Sequence, residues 1–360
     1  MKWILLFVLA SWVIAADWQP APQNYALTFP KDHGSHPAQK IEWWYFTGNL
    51  QSSDGHAFGY QLTFFRIGTD AQPKNPSAWT VRDLHMAHFA ISDLSQGKYF
   101  HHQRLNRAGP GLCGAELERL AVWNGPWRVE MKDPNQIILQ ANDPDIEMNL
   151  TLAVAQPPVL HGDRGYSRKG VTAGNASIYY SMTRLASSGT LRIGDQKFEV
   201  KGQSWMDHEF GSSFLEPGQL GWDWFSLQLD DGSDLMLFQI RQALGVPAMS
   251  GTLVKPDGTV EVLTQDQFKL RPSDPWKSPA TGAPYPLKWT ISLPGQHLEL
   301  QVTTPLSNQE MISPKAGPSY WEGAVVAEGM LNDQPIHGRG YLEMTGYSGA
   351  AMRSFFHLEE

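Results

Sequence analysis

An all-β protein made of two consecutive antiparallel β-barrel domains is the fold class that this sequence predicts, and three observations predict it. Aromatic-rich runs with two-residue alternation follow one another along the chain, separated by Asp-Gly and Pro-containing turns. No long stretch repeats its apolar residues at helical spacing. One aromatic hairpin also occurs twice, at an offset of 179 residues, Trp43 matching Trp222. The 360 residues suffice for two domains, each large enough to bury its own core. A composition of 41% hydrophobic and 18% charged residues makes the chain globular, and 33 glycines and 25 prolines supply its turns. Meandering strands with aromatics on one face favour barrels, because closure removes exposed sheet edges. Such barrels have room for one small ligand.

Met1-Lys2 and the apolar run Trp3 to Ala16, with small residues at its end, read as a secretory signal peptide over residues 1–16. The run is too short to cross a bilayer. The expected mature protein is soluble, periplasmic or secreted, without a lipid anchor, since no cysteine follows the run. Cys113 is the single cysteine, so no intramolecular disulfide is expected, and nothing around it resembles a nucleophile's setting.

The first hairpin pairs Ile41–Leu50 with Phe58–Arg66 around Asp54-Gly55. Strands are expected at 87–91, 127–131, 137–139, 148–154 and 177–183, with a short helix over Cys113–Leu120. The second hairpin pairs 224–229 with 235–241 around Asp231-Gly232, and a third surrounds Asp257-Gly258. Further strands are expected at 289–293, 298–302, 324–329 and 340–343. In the echo, Trp43-Trp44-Tyr45-Phe46-Thr47 followed by Leu50 matches Trp222-Asp223-Trp224-Phe225-Ser226 followed by Leu229. Each domain therefore opens with the same aromatic hairpin, and the domains are placed at 38–205 and 206–355.

The net charge of −8, without a Lys/Arg run, speaks against nucleic acid or an anionic membrane as partner. Low charge with 14 tryptophans suggests an apolar small molecule or lipid instead. A phosphate loop, a dinucleotide fingerprint, a paired-histidine zinc helix and a Gly-x-Ser-x-Gly elbow are all missing. His85 and His88 are three apart on one strand and project to opposite faces, so one strand cannot offer both to an ion; no metal or other cofactor is expected. His88 shares a face with Met86 and Ala90 and points into an apolar interior, as a packed core histidine or a ligand contact.

The densest polar segment is Gln203 to Gly211. If extended, it puts Asp207 and Glu209 on one face and His208 on the other. Two carboxylates so close in a dry site repel, so one keeps its proton and can act as a general acid, with His208 orienting it or relaying a proton. A solvated linker is the alternative. Tyr166-Ser167-Arg168-Lys169-Gly170 presents a hydroxyl and cations, to a ligand or as a surface loop. In the first hairpin Trp43 and Tyr45 face one way and Glu42, Trp44 and Phe46 the other; in the second, Trp222 and Trp224 share a face. Aromatic faces at Trp44, Tyr45, Trp222 and Trp224 can bind an alkene or hold a carbocation, besides packing the core.

The run Glu42 to Gly48, the strand Ala87-His88-Phe89-Ala90 and the segment Ser204 to Gly211 resemble the lipocalin-like family of carotenoid 1,2-hydratases and AttH-type proteins. So do Tyr320 to Val325 and Gly338 to Tyr347, and the resemblance runs from about residue 38 to 350. It implies two lipocalin-like barrels with a site near their junction. In the hydratases the similar segment reads Asp-His-Asn followed by an aromatic, with a functional histidine and acid; Asp207 and His208 match, whereas Glu209 replaces Asn and Phe210 the expected Trp. The implied chemistry is cofactor-free: Asp207 or Glu209 protonates a C=C bond, aromatic faces hold the cation, and water activated by His208 or the second carboxylate adds. Three readings follow: a hydratase-like lyase or hydrolase acting on an isoprenoid or lipid-like molecule, a periplasmic carrier of such a molecule, and a scaffold between envelope partner proteins. The oligomeric state is not legible.

Overall fold

Two-residue alternation governs nearly every segment of the computed structural model, which describes residues 18–77, 80–212, 215–313, 317 and 319–349. The apolar run at 1–16 lies outside the described residues. One sheet of 13 strands runs Lys98–Arg107, Asp83–Asp93, Ala57–Gly68, Ile41–Ser52, Gln196–Gly211, Ala176–Ile193, Ile146–Val154, Gln136–Asn142, Trp127–Asp133, Ala121–Asn124, Cys113–Ala115, with two short strands, Val159–Leu160 and Tyr166–Arg168, beside Ala176–Ile193. The other, of 10 strands, runs Val260–Thr264, Ala248–Val254, Asp234–Gln242, Gln219–Leu229, Gln334–Met344, Tyr320–Leu331, Leu298–Thr303, Pro284–Leu293, Lys269–Lys277, with Glu310–Met311 beside Tyr320–Leu331. The first curls into a nearly closed barrel and the second into a half-barrel. Strand for strand, the first nine of each order correspond.

That correspondence gives the sequence echo a structural meaning. Both copies of the aromatic hairpin occupy the same place, next to the last strand of their own sheet, and their turns hold Gly55 and Gly232 at φ of 89° and 94°. Tyr45 pairs with Asp207 across the ladder, and its echo Trp224 pairs with Glu343. Asp207 in turn pairs with Ser181, and Glu343 with Glu322. Carboxyl groups therefore occupy matched positions in the two halves.

Two expectations are corrected. Cys113–Leu120 is no helix: Cys113–Ala115 pairs as a strand with residues 122–124, which buries the Cys113 thiol, and bends follow. The chain does not leave the first domain at 205/206 either. Met206 to Gly211 continue the Gln196–Gly211 strand between two neighbours, and the passage to the second sheet follows Gly211.

Each sheet encloses its own apolar core, around Trp44, Phe46, Phe58, Leu62 and Trp127 in the first and Phe225, Trp289, Leu300 and Trp321 in the second. A third cluster, including Tyr45, Tyr179, Trp205, Trp224, Phe238 and Tyr341, joins the outer faces of the two sheets. Polar stitches flank it: Arg184 to Asp234 at 2.6 Å, Gln61 Nε2 to Tyr320 Oη at 2.9 Å and His161 Nδ1 to Thr252 Oγ1 at 2.8 Å.

Candidate active site

The third cluster is hollow. A cavity of about 750 Å³, its opening included, lies between the sheets, with Trp43, Tyr45, Phe65, Trp222, Trp224 and Phe238 among its walls. Four carboxyl side chains also line it: Asp207 and Glu209 from the first sheet, Glu322 and Glu343 from the second. All are buried. Alternation places them there, since each is an outward-facing residue of a strand whose opposite face fills a barrel core.

Asp207 is the most heavily solvated by protein. Ser181 Oγ donates to its Oδ1, as does Trp205 Nε1 at 2.6 Å, and Tyr179 Oη donates to Oδ2 at 2.6 Å. Trp224 Nε1 donates to Tyr179 Oη at 2.9 Å, tying the second sheet to this acid. Burial pushes Asp207 up to about 7 against the pull of these donors. Glu209 pairs with Lys169 Nζ at 2.6 Å and also accepts from Ser177. Lys169 lies over the rings of Tyr179 and Phe238, 5.0 and 4.6 Å from their centroids. The expected Lys169→Met effect is a loss of about 3–5 kcal/mol in urea unfolding, from a buried charge left without its counter-ion, largely recovered by adding Glu209→Gln.

The second-sheet acids are less satisfied. Glu343 accepts from Trp222 Nε1 at 3.0 Å, and burial pushes it up to about 7. Glu322 has no hydrogen-bond partner on either carboxylate oxygen among the described residues, and Tyr45 Oη and Gln61 Oε1 are likewise unpartnered. Burial, then the neighbouring Glu343, raise Glu322 well above the usual carboxylate range; Tyr45, Tyr320 and Gln61 stand close enough to soften that rise. Glu322 thus faces the cavity as a carboxyl group that holds its proton more tightly than an exposed one does.

Of the residues singled out in the sequence, Asp207, Glu209, Tyr45, Trp222 and Trp224 meet in this cavity. His208 and Trp44 do not. They point to the other side of the sheet, stacked on each other at 4.9 Å between ring centroids, and His208 bridges Tyr180 Oη at 3.0 Å and Glu42 Oε1 at 3.0 Å. His88 stands one layer behind the wall, its Nδ1 2.6 Å from the hydroxyl of the lining residue Tyr320. Arg66 and Arg241 pair with Glu42 and Asp223 rather than with Asp207 or Glu209. Lys169, from the Tyr166–Gly170 segment read as a ligand contact or a surface loop, also lines the cavity, whereas Glu322, Glu343 and the lining tyrosines Tyr179 and Tyr320 were not legible as site residues. The signal for the two glutamates was present: each is a lone acid on an otherwise apolar strand face, Tyr320-x-Glu322-x-Ala324 and Tyr341-x-Glu343.

His36, Glu42 and His208 bring three possible metal-ligand atoms within 4.8 Å of one another. These atoms are already engaged. Glu42 accepts from Ser35, His36 and Arg66, and despite complete burial its hydrogen bonds to His208 and His36 and the Arg66 charge hold it well below the usual carboxylate range. A dication would have to sit against the Arg66 guanidinium, so the cluster fits a closed polar network better than an ion.

The AttH-like family profile matches residues 20–347. A crystal structure of a protein assigned as AttH from Nitrosomonas europaea superposes with a TM-score of 0.83 at 36% identity, covering 91% of this chain and 99% of that one. Kievitone hydratase from Nectria haematococca shares the fold, with a TM-score of 0.72 at 14% identity over 91% of this chain and 97% of that one. In sequence, the chain is 22% identical over 216 residues to the dehydratase AsqC of Emericella nidulans, and 24% identical over 217 residues to kievitone hydratase of Fusarium solani subsp. phaseoli. Each match covers 57% of this chain, and 60% and 58% of the respective relative's length, less than two thirds of either.

Proposed function

We propose, for a chain that belongs to the AttH-like family, that the cavity between the sheets adds water to, or removes it from, an apolar isoprenoid or lipid-like molecule. The observation that carries the reading is Glu322: a buried carboxyl group without a hydrogen-bond partner among the described residues, in a cavity it shares with aromatic rings and three further carboxyl groups. A carrier gains nothing from such a group, which costs folding free energy unless a ligand or a reaction uses it. Distant kinship with a hydratase and a dehydratase supports the same reaction class.

In hydration, the Glu322 O–H gives its proton to one alkene carbon, and the π pair forms the new C–H bond. The cation left on the other carbon rests against Trp and Tyr faces. A water oxygen then bonds to that carbon, and its surplus proton passes to the Asp207 carboxylate, whose three donors favour ionisation. Net, one water is added; proton exchange through the cavity mouth restores both acids. Dehydration runs the same steps backwards. The chemistry asks for no cofactor, and the N-terminal run supports a periplasmic or secreted location.

The test offers the protein a panel of trisubstituted alkenes and tertiary alcohols in H₂¹⁸O, followed by mass spectrometry. Mass gain of one labelled water, or loss of one water, at a rate above that of Glu322→Gln is the expected result. Saturable binding of the panel without any conversion would replace this reading with a carrier.

A further inference from the structure

Asp207 is the end of a hydrogen-bonded chain that crosses from one sheet to the other. Ser181 Oγ, which donates to Asp207 Oδ1, also lies 2.6 Å from His161 Nε2, and His161 Nδ1 lies 2.8 Å from Thr252 Oγ1 of the second sheet. All four side chains are buried. The His161 ring lies against Tyr179, 4.2 Å between centroids and tilted by 44°, and its backbone N–H donates to the Tyr179 carbonyl at 3.1 Å, so its place is set by the same strand that carries Ser181.

Consider what a proton on Asp207 demands of its neighbours. Trp205 Nε1 is a donor only. Tyr179 Oη already accepts from Trp224, another donor, and has no second acceptor to turn to among the described residues. Ser181 alone can reverse, because His161 Nε2 can accept its hydroxyl hydrogen. With Asp207 ionised, the chain reads Thr252 O–H to Nδ1, Nε2–H to Ser181 and Ser181 O–H to the carboxylate. With Asp207 protonated, it reads carboxyl O–H to Ser181, Ser181 O–H to Nε2 and Nδ1–H to Thr252. The first arrangement holds three protons and the second four, so one proton is taken up and the imidazole stays neutral in both.

We propose that His161 is a positioning residue whose tautomer switches with the ionisation of Asp207 through Ser181, keeping the acid ready in both halves of the catalytic cycle. The inference rests on the proposed reaction only for its use of Asp207; the wiring itself stands on the geometry. Burial and the Lys169 charge push His161 down to about 3, consistent with a neutral ring throughout. The other groups facing Asp207 are Glu209 on its own strand, Glu343 on the second sheet, Tyr179 beside it and Tyr45 across the ladder. The matched position of Ser181 in the second half is Glu322, so the two halves have diverged into one wired acid and one unpartnered acid.

The test is ¹⁵N NMR of the full chain labelled at histidine, from pH 5.5 to 8.5, with the His161 signals assigned by their loss in His161→Phe or, should that variant not fold, in His161→Gln. The expected result is exchange of the protonated nitrogen from Nδ1 to Nε2 as pH rises, abolished in Asp207→Asn and in Ser181→Ala. A single tautomer across the range in the wild-type protein, or a switch that persists in Asp207→Asn, overturns the proposal. A clean switch in a protein that converts no alkene keeps the wiring and removes the reaction, so the two failures are distinguishable.

Discussion

Glu322→Gln lowers kcat/KM for water addition by about 10²–10⁴-fold, the range for removing a positioned general acid, while the protein stays folded and still binds substrate. Gln keeps the shape of the side chain and its capacity to donate a hydrogen bond, but has no proton to transfer to carbon. The loss should therefore fall on kcat rather than on KM. Wild-type activity should also fall at alkaline pH, as the raised Glu322 acid finally ionises, and the residual activity of the Gln variant should lack that limb. The measurement is steady-state kinetics across pH with whichever alkene the labelled-water assay identifies. A variant with unchanged kcat would remove Glu322 from the chemistry and return the role to Asp207 or Glu343.

The second large effect is on stability. Glu343 is pushed by burial up to about 7 in the folded protein, from an ordinary value of 4.5. Between those two pH values the unfolded chain releases a proton that the native state retains. The native state is thus penalised progressively as pH rises from about 4.5 to about 7, and the penalty stays in place above that. Glu343→Gln removes the titration while its amide oxygen still accepts from Trp222. Relative to wild type, the variant should gain on the order of 3 kcal/mol in unfolding free energy on going from pH 4.5 to pH 8.5. The comparison has to be between variant and wild type. Buried neutral histidines such as His33, His88 and His161, each pushed by burial down to about 3, impose the opposite slope on both proteins below pH 6.5. Urea titrations at the two pH values read the difference directly, and a pH-independent offset would show that Glu343 does not hold its proton.

Much of the site was legible as faces. The alternation that put Asp207 and Glu209 on one side of a strand and His208 on the other holds in the structure, as does the shared face of Trp222 and Trp224. What the sequence does not tell is which of two faces meets the other domain. His208 matched the hydratase segment along with Asp207, yet its side of the strand fills the first barrel, where it bonds to Glu42 and Tyr180. Trp44 follows it there, stacked against the ring, while its neighbours Trp43 and Tyr45 reach the cavity. His161 offered no local signal at all, because its partners lie 20 and 91 positions away.

The sequence by itself determined the all-β class, the repeated hairpin and the side of each strand on which a residue lies. These are local properties, written in a period of two and in turn residues that need no distant partner. Tertiary structure alone decided that the outer faces of two curled sheets close over a cavity, and that carboxyls 115 and 136 positions beyond Asp207 join it there. The physical reason is desolvation. A lone glutamate on a strand is an ordinary surface charge until a second sheet excludes water from it, and only then does it become an acid that releases its proton at a higher pH than an exposed one.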